Sequence, residues 1–95
     1  DERVHVGRVP ASPHAALSRL SDEVLITLYQ VMRQGWMHPR VQAHLFRVDP
    51  GTAHAELARL AHLGLLEEQD GQVYRVEVHL RGALARVLIE KGWVP

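Results

Sequence analysis

The sequence predicts one α+β domain, mostly α-helical, in which three helices precede a β-hairpin and a last helix. Four segments repeat apolar residues at the three- and four-residue spacing of a helix face. Between the third and the fourth lies an Asp-Gly pair flanked by strand-like runs, the strongest short signal for a hairpin. The length of 95 residues and the hydrophobic fraction of 46% are those of a single globular domain.

The first part of the chain, residues 1–19, is expected to be an extended arm or a linker remnant, and residues 20–95 the domain. The arm contains Pro10 and Pro13 and no sustained helical period. Val4, Val6 and Val9 could form a short strand, in which Val4 and Val6 have the alternating spacing. Because the chain begins at Asp1 rather than Met, we expect it to be a piece of a longer protein.

The first helix is predicted to start at Ser21 and to stop at Gly35. Serine is a good N-cap, Asp22 and Glu23 complement the positive start of a helix, and glycine is a common helix stop. The apolar face of this helix comprises Val24, Leu28, Val31 and Met32.

Two further helices are predicted on either side of a short joint. One starts near Pro39, and the other starts at Pro50 after the cap Asp49 and ends at Gly64. The expected buried side of the second helix is Val41, Leu45 and Val48. The expected buried side of the third is Ala53, Leu57, Leu60 and Ala61.

A hairpin with strands at 65–69 and 72–78 is predicted around Asp70-Gly71, followed by a helix from Leu80 to Lys91. The inward residues of that last helix are Leu80, Leu84, Val87 and Leu88. The order of elements is that of a helix-turn-helix followed by a β-wing, a winged helix-turn-helix.

The run from Val48 to Leu66 resembles the recognition-helix segment of bacterial winged-helix regulators of the MarR, ArsR and PadR groups. The positions that carry the resemblance are Leu57, Leu60, Gly64 and Leu65. The resemblance extends over residues 20–92 and implies a domain that binds double-stranded DNA, with the third helix in the major groove. It specifies the fold better than the partner, because the matching positions are packing positions.

Candidate DNA contacts come from both helices of the motif and from the wing. On the second helix, Arg40, His44 and Arg47 share one edge at spacings of four and three, suited to phosphate contact. The other candidates, on the third helix and the wing, are Thr52, His54, Arg59, His62 and Arg75.

Binding to another protein is the alternative hypothesis. Eleven basic and eleven acidic residues give a formal net charge of zero, and the predicted wing is acidic, which disfavours contact with a polyanion. Four apolar residues are expected at a surface that a homodimer partner or another domain of the parent protein would cover: Ile26, Tyr29, Ile89 and Trp93. The N-terminal arm is a further possible cover.

Enzymatic chemistry is not expected. The chain has no cysteine, no phosphate-binding glycine-rich loop and no pair of histidines at four-residue spacing, so neither a cofactor nor a metal site is predicted. The absence of cysteine and of a long apolar run fits a protein of a reducing bacterial cytoplasm.

Overall fold

The computed structural model describes residues 12–95, which form five helices and one two-stranded antiparallel sheet. This is the expected α+β class, mostly helical, and its order of elements is compatible with a winged-helix layout. The helices are α1 (Pro13–Ser18), α2 (Asp22–Gln34), α3 (Pro39–Phe46), α4 (Pro50–His62) and α5 (Arg81–Glu90). The strands are β1 (Leu66–Gln69) and β2 (Val73–Val76), and a 3₁₀ turn (Val78–Leu80) leads into α5.

The N-terminal region differs from the expected arm, because α1 forms within it. The Ser12 hydroxyl accepts a hydrogen bond from the backbone N–H of Ala15, and Pro13 occupies the first turn, where its missing N–H costs nothing. Leu17 is 1% exposed, and α1 packs on α5. The valines proposed for a strand, at positions 4, 6 and 9, lie outside the described residues.

Three helices of the structure begin with a polar cap followed by proline. Asp49 caps α4 through the N–H of Thr52, and the imidazole Nδ1 of His38 caps α3 through the N–H of Arg40. Helix α2 starts after the predicted cap Ser21 and ends at Gly35, whose φ of 83° is left-handed. The predicted starts of α2, α3 and α4 are therefore confirmed, whereas that of α1 was not predicted.

The core lies between α2, α4, α5 and the hairpin. Every described element except α3 and the 3₁₀ turn contributes to the buried apolar cluster. Its members are Leu17, Leu25, Leu28, Val31, Met37, Leu57, Leu60, Leu66, Tyr74, Val76, Leu84, Val87 and Leu88. Burying large side chains of this kind supplies about 1.5–3 kcal/mol each, so the elements that carry them position the rest of the fold.

Helix α3 buries a different side from the predicted one. Leu45 and Val48 are 43% and 40% exposed, Val41 is half-buried, and the buried residues are Gln42 and Ala43. With eight residues, α3 spans little more than two turns, which is too short for its apolar residues to define a reliable period.

The hairpin joins its strands through a three-residue turn, with Leu66 opposite Val76 and Gln69 opposite Val73. Asp70 and Gly71 both adopt positive φ, as expected for an Asp-Gly turn. The strands are shorter than predicted because Gln72 belongs to the turn and the chain enters the 3₁₀ turn at Val78. Met37 extends the sheet by an isolated bridge to Tyr74, with N···O distances of 2.6 and 2.9 Å.

Candidate nucleic-acid interface

A groove of about 600 Å³ lies where the first turns of α3 and α4 meet the tip of the hairpin. None of the lining residues within the described range 12–95 is acidic. The lining comprises His38, Pro39, Arg40, Pro50, Gly51, His54, Gly71 and Gln72. Two helices begin here, but Pro39 and Pro50 have no N–H, and the N–H groups of Arg40 and Thr52 are bonded to the caps His38 and Asp49. The groove therefore depends on its side chains for contact with an anion.

His38 links the wall of this groove to the hairpin. Its Nδ1 accepts the N–H of Arg40 at 3.1 Å, and its Nε2 lies 3.4 Å from the Oε1 of Gln72. With Nδ1 as an acceptor, the proton of the neutral ring sits on Nε2 and is available to donate to Gln72. Neither His38 nor Gln72 was predicted from the sequence, although a polar residue directly before Pro39 is a signal for a helix cap.

Arg40 and Arg47 are both exposed, and neither forms an ion pair with a carboxylate of residues 12–95. Arg40 lines the groove, as expected for a phosphate contact. Arg47 does not continue the helical edge, because α3 ends at Phe46 and Arg47 adopts a left-handed φ of 58°. His44 is exposed on α3 and does not line the groove.

Thr52 stands at the start of α4, but its hydroxyl is already used. The Oγ1–H donates to Oδ1 of Asp49 at 2.6 Å, and the backbone N–H donates to Oδ2 at 2.9 Å. Because these two bonds stabilise the carboxylate, the pKa of Asp49 lies below its ordinary value of 3.8. A hydroxyl has one proton to donate, so Thr52 has none left for a phosphate oxygen.

Two predicted basic contacts are paired with carboxylates. Arg59 makes a two-point contact with Glu56 on the same helix, at 3.2 and 3.0 Å, and Arg75 lies 3.3 Å from Glu67 on the neighbouring strand. Both pairs are at the surface, where they are worth about 0–1 kcal/mol and can exchange for another partner. In this arrangement α4 presents little positive charge along its exposed face.

The histidines of α4 lie in different surroundings. His54 lines the groove, with its ring centroid 6.3 Å from that of Tyr74, whereas His62 is exposed two turns further along the helix. Eight residues of helix correspond to about 12 Å, so the two rings do not act on one ligand atom. Within residues 12–95, no cluster of three histidines or carboxylates is placed to hold a metal ion.

The proposed protein-contact residues separate into two groups. Ile89, Ile26 and Trp93 are 51%, 38% and 36% exposed. Tyr29 is half-buried and packs against the core. The Lys91 ammonium lies 5.6 Å from the Trp93 ring and 3.1 Å from Asp22, so α5 is tied to the start of α2 beside the exposed residues.

The helices described between residues 12 and 95 are too short, and not apolar enough, for any of them to span a membrane. Comparison of the chain with protein-family models, curated proteins and solved structures finds no match.

Proposed function

We propose that this chain is a winged helix-turn-helix domain that binds double-stranded DNA mainly through its phosphate backbone. The proposal is supported first by the order of the elements, in which α3 and α4 form the helix-turn-helix and β1–β2 the wing. In a domain of this layout the first helix of the helix-turn-helix, here α3, lies across the DNA backbone, and the second, here α4, enters the major groove.

The observation that carries the proposal is the groove between the first turns of α3 and α4 and the hairpin tip. It combines the exposed guanidinium of Arg40 with the imidazoles of His38 and His54, and no carboxylate is among the residues of 12–95 that line it. Phosphate oxygens accept hydrogen bonds from guanidinium and imidazole N–H groups, and Arg40 supplies the positive charge. Arg47, exposed beyond the end of α3, is the second proposed phosphate contact.

Base reading is expected to be the smaller part of the affinity. Arg59 is held by Glu56, Thr52 has no hydroxyl proton to spare, and two alanines occupy the exposed face of α4 at positions 55 and 58. Such a surface binds the phosphate backbone of DNA but discriminates weakly among base sequences, because phosphate contacts position a protein and base contacts specify the site.

The test is a fluorescence-anisotropy titration of a labelled duplex over a series of salt concentrations. Binding should weaken as salt rises, and the slope of log K against log salt should fall by about 0.9 for each phosphate contact removed. We therefore expect the double variant Arg40→Ala, Arg47→Ala to lose about 2 units of slope.

A matched control removes two arginines far from the groove. Arg19 follows α1 and Arg86 lies on α5, and both are exposed. The double variant Arg19→Ala, Arg86→Ala carries the same change in net charge and should keep the slope of the parent. Equal losses in both double variants, or no binding at the lowest salt, would refute the proposal.

Association with another protein is the second candidate, favoured by the exposure of Ile89, Ile26 and Trp93. Contiguous exposed apolar residues commonly mark an interface, and the 3.1 Å contact between Lys91 and Asp22 places the chain end that carries Ile89 and Trp93 beside the first turn of α2, whose next turn carries Ile26. If a second copy covers them, sedimentation velocity should show a dimer that the Ile89→Ser variant converts to monomer. A monomer at all concentrations leaves only a partner of different sequence for this surface.

A further inference from the structure

A second cavity, of about 310 Å³, lies on the other flank of α4, between the start of α2 and the end of α3. Its wall is partly apolar and its rim carries charges. The lining comprises Ser21, Glu23, Val24, Thr27, Gln42, Phe46, Val48, Thr52, Ala53, Glu56 and Arg59. Its volume is at the lower end of the range of small-molecule sites.

The side chain of Gln42 lines this cavity and is not fully satisfied. Gln42 is 4% exposed, and no donor among residues 12–95 reaches its buried Oε1. The great majority of buried polar atoms in folded proteins have a partner, so an orphaned acceptor beside a cavity indicates a missing donor. The oxygen is buried even from the cavity, so an occupant reaches it only after the amide turns about the last torsion of the side chain, which is soft.

The surroundings limit what the occupant can be. Val24, Phe46 and Val48 offer apolar contact to one flat ring, and Gln42 requires a single donor. Glu23 and Glu56 are both at the cavity, and the one cation there, Arg59, is already engaged by Glu56. These carboxylates would repel an anion, and a cation would lose its hydration against Val24, Phe46 and Val48, so an uncharged compound fits best.

We propose that this cavity binds a small uncharged ring compound that donates one N–H or O–H hydrogen bond to Oε1 of Gln42. The proposal is independent of DNA binding, because neither Arg40 nor Arg47 lines the cavity.

Indole and N-methylindole form a matched pair of probes, since they share the ring and differ in the donor. Titration of the unaltered chain, followed by amide and side-chain chemical shifts in NMR, should show saturable binding of indole at about 1 mM or above. The largest shifts should be those of Gln42, Val24 and Phe46. N-methylindole should bind about tenfold more weakly, the cost of leaving one buried acceptor without its donor.

The variant Gln42→Met keeps the shape of the side chain and removes the acceptor. It should bind indole and N-methylindole equally, whereas the control Gln34→Met, at the exposed end of α2, should retain the tenfold preference. The proposal is overturned if the unaltered chain binds the two probes equally, if indole does not saturate, or if the shifts lie at the groove instead.

Discussion

Replacing Arg47 by glycine should stabilise the domain while lowering its affinity for DNA. Arg47 is the residue after α3 and has φ +58°, with the N–H groups of Arg47 and Val48 both directed at the carbonyl of Ala43. Most helices that end in this way place glycine at the left-handed position, because a side chain there costs about 1–2 kcal/mol.

The net gain is smaller than this strain. Glycine also raises the conformational entropy of the unfolded chain, which offsets about 0.5–1 kcal/mol. We therefore expect Arg47→Gly to raise the free energy of unfolding by about 0.5–1 kcal/mol and Tm by about 4 °C. Arg47→Ala loses the same charge but keeps the Cβ atom, so its stability should match that of the parent.

Thermal and urea unfolding of the two variants measure the backbone effect directly. A second pair, Arg40→Gly and Arg40→Ala, repeats the comparison inside α3, where φ is helical and glycine should be the less stable of the two. An Arg47→Gly variant no more stable than Arg47→Ala would refute the strain argument. In DNA titrations, by contrast, both Arg47 variants should lose the same amount from the slope of log K against log salt, because the proposed contact is the guanidinium and not the protein backbone.

Three further predictions concern a turn and two titrating groups. Gly64→Ala should cost about 1 kcal/mol because its φ is +84°, and the added methyl group brings no clash because it would meet open space. Gly82→Ala, inside α5, should instead be neutral or stabilising, and urea unfolding of both variants measures the difference. Asp49→Asn should lower stability at neutral pH and lose this deficit in acid: the carboxylate has a lowered pKa, so its contribution is present above 3.8 and disappears as pH falls through the folded value. A constant deficit from neutral pH to acid would contradict that assignment. Burial, and secondarily the charge of Glu68, raise the pKa of Tyr74 above 10.0. The folded domain should therefore lose stability as pH rises above 10.0, and Tyr74→Phe should reduce this loss. Tyrosinate absorbance measures whether the phenol resists ionisation in the folded state.

Local signals in the sequence were sufficient to locate most elements. Ser21, Asp49, Gly35 and the Asp70-Gly71 turn act through their own backbone neighbours, so their roles can be inferred without tertiary information. The same signature, a cap followed by proline, was present at residues 12–13, but the lack of an apolar period there favoured an arm.

The candidate site was harder to predict because pairing depends on tertiary distance and on rotamers. Arg59 and Glu56 are three residues apart on one helix, a spacing that permits the observed ion pair. Arg59 was nevertheless predicted as a DNA contact without regard to Glu56. Arg75 and Glu67 meet only once the hairpin has its register. The burial of Gln42 follows from how α3 is held by its neighbours, which its own pattern does not encode.

The bridge between Met37 and Tyr74 has a kinetic consequence. It joins the loop before α3 to β2, so α3, α4 and β1 all lie within the segment that the bridge closes. Closing a loop of this length costs conformational entropy, so such a long-range contact forms more slowly than the local contacts within each helix. We therefore expect the groove to form late during folding and its amides to exchange with solvent together with those of Tyr74, as one cooperative unit.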